Sequence, residues 1–161
     1  MKKIMFLILG IAIFMTGCTA ATPTVSPLER SQMRTATIDA SYDITFRALM
    51  TTLEDQGYTI DNTDMQSGLI KASIAKDATD NVQKFFGTTG VDTYEVSSTV
   101  SKINKNTTKV RINIREKTDM TTSTTYGSNN STTAKEIDDP AVYHDLFNNL
   151  KTEIARSKAM K

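Results

Sequence analysis

The chain has no tryptophan, one cysteine, one histidine and three prolines in 161 residues. A single cysteine excludes an internal disulfide and any metal site built from several cysteines, and the lone His144 excludes a two-histidine site. Stability therefore has to come from packing. Aromatic residues make up only 7% of the chain, which argues against a large aromatic-lined ligand pocket. A charge excess is missing too, because 19 Lys and Arg stand against 18 Asp and Glu. That balance gives no electrostatic basis for binding nucleic acid or an anionic membrane surface. Long apolar runs are also absent: the longest, Ile4 to Phe14, falls far short of the ~20 residues that span a bilayer.

That run nevertheless sits where an export signal belongs, with Lys2 and Lys3 before it and Met15-Thr16-Gly17-Cys18 after it. These four residues resemble the lipobox of bacterial lipoproteins, with Met15 in place of the commoner leucine. The resemblance implies that the Cys18 thiol is acylated, that the chain is cut before Cys18, and that the new amino terminus is acylated as well. Residues 1–17 are then a lipoprotein signal peptide, 18–30 a lipidated cysteine with a flexible tether, and 31–161 a single domain. The mature chain keeps 17 basic and 18 acidic residues, a formal charge of −1. Each buried methylene of an acyl chain contributes about 0.8 kcal/mol, so two or three chains together anchor durably where one does not. Thr19 lacks the aspartate that resembles an inner-membrane retention signal. In a cell with two membranes, the expected location is the periplasmic face of the outer membrane.

Beyond the tether, Gln32 to Ala40 alternates weakly and is rich in β-branched residues, which predicts a first strand. Ser41 or Asp43 can cap a helix in which Phe46, Leu49, Met50 and Leu53 share one face, with Gly57 ending it. Tyr58 to Asp61 and Leu69 to Ala75 read as a hairpin. In its second strand Ile70, Ala72 and Ile74 lie on one side, and Lys71 and Ser73 on the other. Residues 76–90 form a connector with a helical turn at Asn81 to Phe86. Val91 to Ile103 and Thr108 to Thr118 alternate about an Asn104-Lys105-Asn106 turn. Their apolar positions include Val96, Val100, Val110, Ile112 and Ile114, while Lys109, Arg111, Asn113, Arg115 and Lys117 face solvent. Met120 to Ala134 is a Thr/Ser/Asn-rich stretch with two readings, a polar hairpin that extends the sheet or a mobile loop. Asp139 and Pro140 open a last helix with a Tyr143, Phe147, Leu150 and Ile154 stripe, widened by Val142 and Leu146. Two amphipathic helices and an antiparallel sheet with one apolar face imply an α+β fold, a two-layer sandwich with both helices on that face.

Taken together, Arg30 to Arg34, Ala48 to Ser73, Val110 to Ile114 and Ile137 to Phe147 resemble a family of small, largely uncharacterised bacterial envelope lipoproteins. The β-α-β-β layout is also similar to domains of the accessory lipoproteins of the outer-membrane β-barrel assembly machinery, a likeness of fold alone. Neither resemblance implies catalytic residues.

The residues that invite a chemical reading have simpler ones. Ser73-Ile74-Ala75-Lys76 matches the S-x-x-K of penicillin-interacting serine enzymes, but lies on an expected strand in a chain without the S-D-N and K-T-G elements. His144 reads as a surface residue of the last helix. Asp138 and Asp139 suggest an acid–base pair, yet helix capping accounts for them. Asp61, Asn62, Asp64 and Gly68 lack the spacing and the terminal glutamate of a calcium loop and read as a turn.

Two features point to a partner. Lys109, Arg111, Arg115 and Lys117 make a basic stripe, suited to discouraging edge pairing or to meeting an acidic partner or anionic envelope polymer. Phe85 and Phe86 are adjacent aromatics that cannot both face inward. The expected protein is a non-catalytic binding or structural accessory, held to the membrane by its lipid, with an envelope protein partner and no cofactor or metal. An envelope hydrolase or a small-ligand carrier is the alternative. Cys18→Ala is expected to leave the fold intact and release the domain into the soluble fraction; recovery with the membranes would overturn the lipid anchor.

Overall fold

In a computed structural model, residues 25–160 are described. The expected signal peptide, Cys18 and the first part of the tether lie outside the described residues. The folded part begins with a helix, α1 (Pro27–Met33), where an extended tether to Arg30 and a strand from Gln32 were expected. Its local cause is a capping box. The Ser26 hydroxyl accepts from the Glu29 backbone N–H, the Glu29 carboxylate accepts from the Ser26 N–H, and Pro27 occupies the first turn.

The first strand, β1, is correspondingly short, Thr35–Ile38. Then follow α2 (Tyr42–Asp55), the hairpin β2 (Thr59–Asp64) and β3 (Leu69–Asp77), and the one-turn helix α3 (Asn81–Phe85). Two long strands, β4 (Thr88–Lys102) and β5 (Thr108–Thr124), lead into β6 (Gly127–Glu136) and α4 (Pro140–Ala159). The stretch with two readings is thus a hairpin, not a loop, with its turn at residues 125–126.

All six strands form one antiparallel sheet in the order β1-β5-β4-β3-β2, with β6 also on β5. The fold is α+β, and both long helices lie on one face of the sheet. Phe46, Leu49 and Leu53 of α2 and Tyr143, Leu146, Phe147, Leu150 and Ile154 of α4 meet Ile70, Val96, Val100, Val110, Ile112 and Ile114 in the core. Val142, expected to widen the α4 stripe, faces water instead. It lies about 100° around the helix from Tyr143, beyond the width that the sheet and α2 cover. Buried hydroxyls are bonded, as burial requires. Thr45 and Thr108 bond each other at 2.7 Å, and Ser98 donates to the Ile70 carbonyl. Gly68 turns β2 into β3 with φ +76°, and a Cβ there would stand 2.1 Å from the Val100 carbonyl oxygen. Only glycine fits that approach.

One edge of β5 is shared by two strands in turn. β1 takes it from Thr108 to Arg111, and β6 takes it from Arg115 to Thr124. In the gap between them sits Arg34, only 4% exposed. Its guanidinium donates to Asp138 at 2.7 Å, Glu136 at 3.0 Å and the Asn113 side-chain oxygen at 3.3 Å, and lies over the Tyr143 ring. Arg30 of α1 reaches the other oxygen of Asp138 at 2.8 Å. Tyr143 splices the ladder where β6 leaves the sheet: its hydroxyl accepts from Ile114 N–H and donates to the Ile137 carbonyl. Arg34→Ala is expected to cost about 2–3 kcal/mol, because Asp138 is left with a weakened counter-charge in a partly buried site. Tyr143→Phe should cost about 1–3 kcal/mol by orphaning two backbone groups. Reversible thermal or urea unfolding measures both, and wild-type stability in either variant would refute the joint.

Candidate functional site

Among the described residues, the helices cover only one face of the sheet and leave the opposite face open. Outward-facing positions of β3, β4 and β5 carry Lys71, Ser73, Glu95, Ser97, Arg111, Asn113 and Arg115, which border a depression of about 710 Å³. Lys109 extends the row beside it, opposite Thr37 of β1 and Ser101 of β4.

The expected basic stripe is not uniform. Lys117 is taken by Asp119 at 2.7 Å, and that contact raises the lysine's pKa. Arg115 lies in register with Glu95 on one side and Glu136 on the other. Directly opposed side chains in a sheet have Cβ atoms about 5 Å apart, so Arg115 stands between two carboxylates, one of which, Glu136, is bonded to Arg34. Arg111 faces Thr35 and Thr99, and Lys71 faces Ser97 and Asn62. Among the described residues, no carboxylate lies within ion-pair distance of Lys71, Lys109 or Arg111. Lys71 and Arg111 are two strands apart, so about 10 Å separates their backbones across the sheet.

Lys71 was absent from the residues singled out in the sequence. Its outward position was legible in the alternation of β3. Its nearness to Arg111 was not, because that depends on β4 lying between the two strands.

Phe85 and Phe86 lie elsewhere. Both are exposed, at 84% and 71%, and they stack edge to face with ring centroids 5.4 Å apart. Partial exposure of one was expected; both face water because α3 has five residues and sits beyond the helical layer. β4 begins at Thr88 opposite Thr122, eleven residues along β5 from Arg111. At about 3.3 Å per residue, the aromatic pair and Arg111 are about 36 Å apart. They do not form one surface.

The other residues weighed in the sequence are also dispersed. Ser73 donates to Asp61, while the Lys76 ammonium lies over the Tyr94 ring. Asp64 accepts from the backbone of Gln66 and Ser67, so it holds the turn. Asp138 serves the arginine joint and Asp139 caps α4 through Ala141 N–H. His144 faces water on α4 beside Asn148 and Asp145. Among the described residues, no helix is long and apolar enough to cross a membrane.

Beyond the helices, β4, β5 and β6 continue as a polar ribbon tied by side chains across the strands. Lys135 pairs with Glu116 at 2.7 Å, and Tyr94 donates to the same carboxylate at 2.8 Å. The Lys135 and Tyr94 contacts hold Glu116 below the usual carboxylate range. The same Glu116 bond pushes the Tyr94 phenol up to about 12. Asp119, bonded by Lys117 and Thr132, is lowered as well. Comparison of the chain with protein-family models and with curated proteins gives no match.

The acid response of the ribbon follows from these shifts. Carboxylates with folded pKa values below their unfolded ones contribute stability that is present above the unfolded pKa and lost as pH falls through the folded one. Acidification from about pH 5 downward is expected to loosen β6 while the apolar core persists. Amide NMR signals of 127–136 should broaden or shift before those of 110–114, and a β6 as ordered at pH 3 as at pH 7 would contradict this.

Proposed function

We propose that the protein is a lipid-anchored accessory of the bacterial cell envelope, held through Cys18 at the periplasmic face of the outer membrane. It works without catalysis, by binding an acidic segment of a partner protein on the open face of its sheet. The observation that carries this reading is the trio of Lys71, Lys109 and Arg111, solvent-facing cations with no carboxylate partner among the described residues, beside a polar depression. Cations with no carboxylate bound to them stay available to an incoming anion, whereas Lys117 is held by Asp119.

The lipobox-like Met15 to Cys18 and the likeness to envelope lipoproteins support the location. The alternative of an envelope hydrolase draws no support from His144, which lies on the helical layer facing water, away from Ser73 and the open face. A small-ligand carrier would call for an enclosed apolar cavity. The depression here is bordered mainly by charged and polar side chains.

A photoreactive residue in place of Arg111 in intact cells tests the reading. It should capture one protein reproducibly, and capture should fall at least tenfold when Lys71→Glu and Lys109→Glu are added and when ionic strength is raised. Capture indifferent to both changes, or no capture above a Cys18→Ala control, would reject an acidic partner on this face.

A further inference from the structure

The sheet's edges are built in different ways. β2 is six residues long, carries Asp61 and Asp64, and has a register break between Ile60 and Asn62. β1 is four residues and is preceded directly by α1. Bulges, charges and shortness are the usual guards against unwanted strand pairing. From Gly127 to Ala134, β6 has none of them. Its ten residues are all exposed, its register with β5 is continuous, and it has neither proline nor charge from Gly127 to Ala134.

The direction of its backbone groups can be read from the ladder. Ile112 N–H bonds Arg34 of the β1 side, and Ile137 N–H bonds the Ile114 carbonyl, so even-numbered residues of β5 bond toward β1 and β6. Ser123 N–H bonds Gly87, so odd-numbered ones bond toward β4. Odd residues of β5 face even residues of β6, such as Asp119 and Thr132. The N–H and C=O groups of Ser128, Asn130, Thr132 and Ala134 therefore point away from the sheet, along an edge that pairs with no strand among the described residues.

We infer that this edge pairs antiparallel with β6 of a second copy of the chain, joining two sheets into one about a two-fold axis at Ser131. In that register Asn130 faces Thr132 of the second copy, Ser128 faces Ala134, and Gly127 faces Lys135. No like charges meet. Tyr126, fully exposed at the hairpin tip, comes opposite Glu136 of the other copy, where its hydroxyl has a carboxylate within reach. The pairing also ends where the free edge ends, because residues beyond Glu136 turn away into the Arg34 joint. A neutral, small-residue strand matched to itself is what an isologous interface asks for. A charged partner strand would find no complementary charge along 127–134.

The test uses the otherwise unaltered chain carrying Ser131→Cys, purified and treated with a mild oxidant. Residues opposed on the axis in a non-hydrogen-bonded pair have Cα atoms about 4.5 Å apart, within the range a disulfide spans. A disulfide-linked dimer should form at least tenfold more with Ser131→Cys than with Ser128→Cys, whose position faces Ala134 instead of itself. Ala134→Pro removes an outward N–H and should lower the yield by a similar factor. Because proline could unsettle β6, the pair Asn129→Lys and Thr133→Lys serves as a second variant. Both positions are exposed, their side chains hold no contact in the ribbon, and they bring like charges together across the axis, so the yield should fall again. Equal yields at positions 131 and 128, no dimer from a folded Ser131→Cys chain, or yields unchanged by both edge variants would overturn the proposal.

Discussion

The fold turns on the ion cluster of Arg34, Asp138 and Glu136, because it closes the one place where the sheet cannot close itself. A strand edge offers backbone groups to one neighbour at a time, and β5 passes its edge from β1 to β6 partway along. At the hand-over both strands veer off, one from α1 and the other toward α4, and a gap is left beside Asn113. Arginine suits that gap: its planar fork reaches three oxygen acceptors at once while its face rests on Tyr143. Burial works against its charge, and the Glu136 hydrogen bond and surrounding groups outweigh that penalty. α1, β1, β5, β6 and α4 are registered together by this single side chain.

That joint also marks where one kind of stability gives way to another. On its helical side β5 is held by the burial of Val110, Ile112 and Ile114, which takes apolar surface out of water. On its far side neither α2 nor α4 covers the ribbon, and among the described residues cohesion rests on the backbone ladder and on Lys135–Glu116–Tyr94 and Lys117–Asp119–Thr132. Exposed ion pairs are individually weak, so the ribbon is the part of the fold expected to open most readily. A rigid core bearing a polar arm separates holding from reaching. The open face with Lys71 and Arg111 belongs to the core, and the free β6 edge belongs to the arm.

Much of this was legible in residue order because periodicity is a local property. The α2 and α4 stripes, the β2–β3 hairpin, the buried side of β5 and the Asp139 cap all come from contacts within a few residues. α1 was legible as well, in the Ser26, Pro27 and Glu29 capping pattern that lies within the stretch expected to be a flexible tether. For Met120 to Ala134, a strand of Thr, Ser and Asn has no apolar alternation to distinguish it from a loop. Its strand character comes from pairing with β5.

The sequence by itself determined the two helical faces, the alternation that sorts core from surface, and the turns, since each is decided by side-chain spacing along one segment. Only the tertiary structure decided which surface residues act together. Arg34 and Asp138 stand 104 positions apart in the chain, and only the crossing of β1 and β6 on one strand makes them partners. Lys71 joins Arg111 because β4 lies between β3 and β5, and Phe85 is far from both because β4 runs the length of the ribbon. Alternation assigns a residue to a face of the sheet, but strand order assigns its neighbours on that face. Strand order is settled by long-range pairing, which no local pattern records.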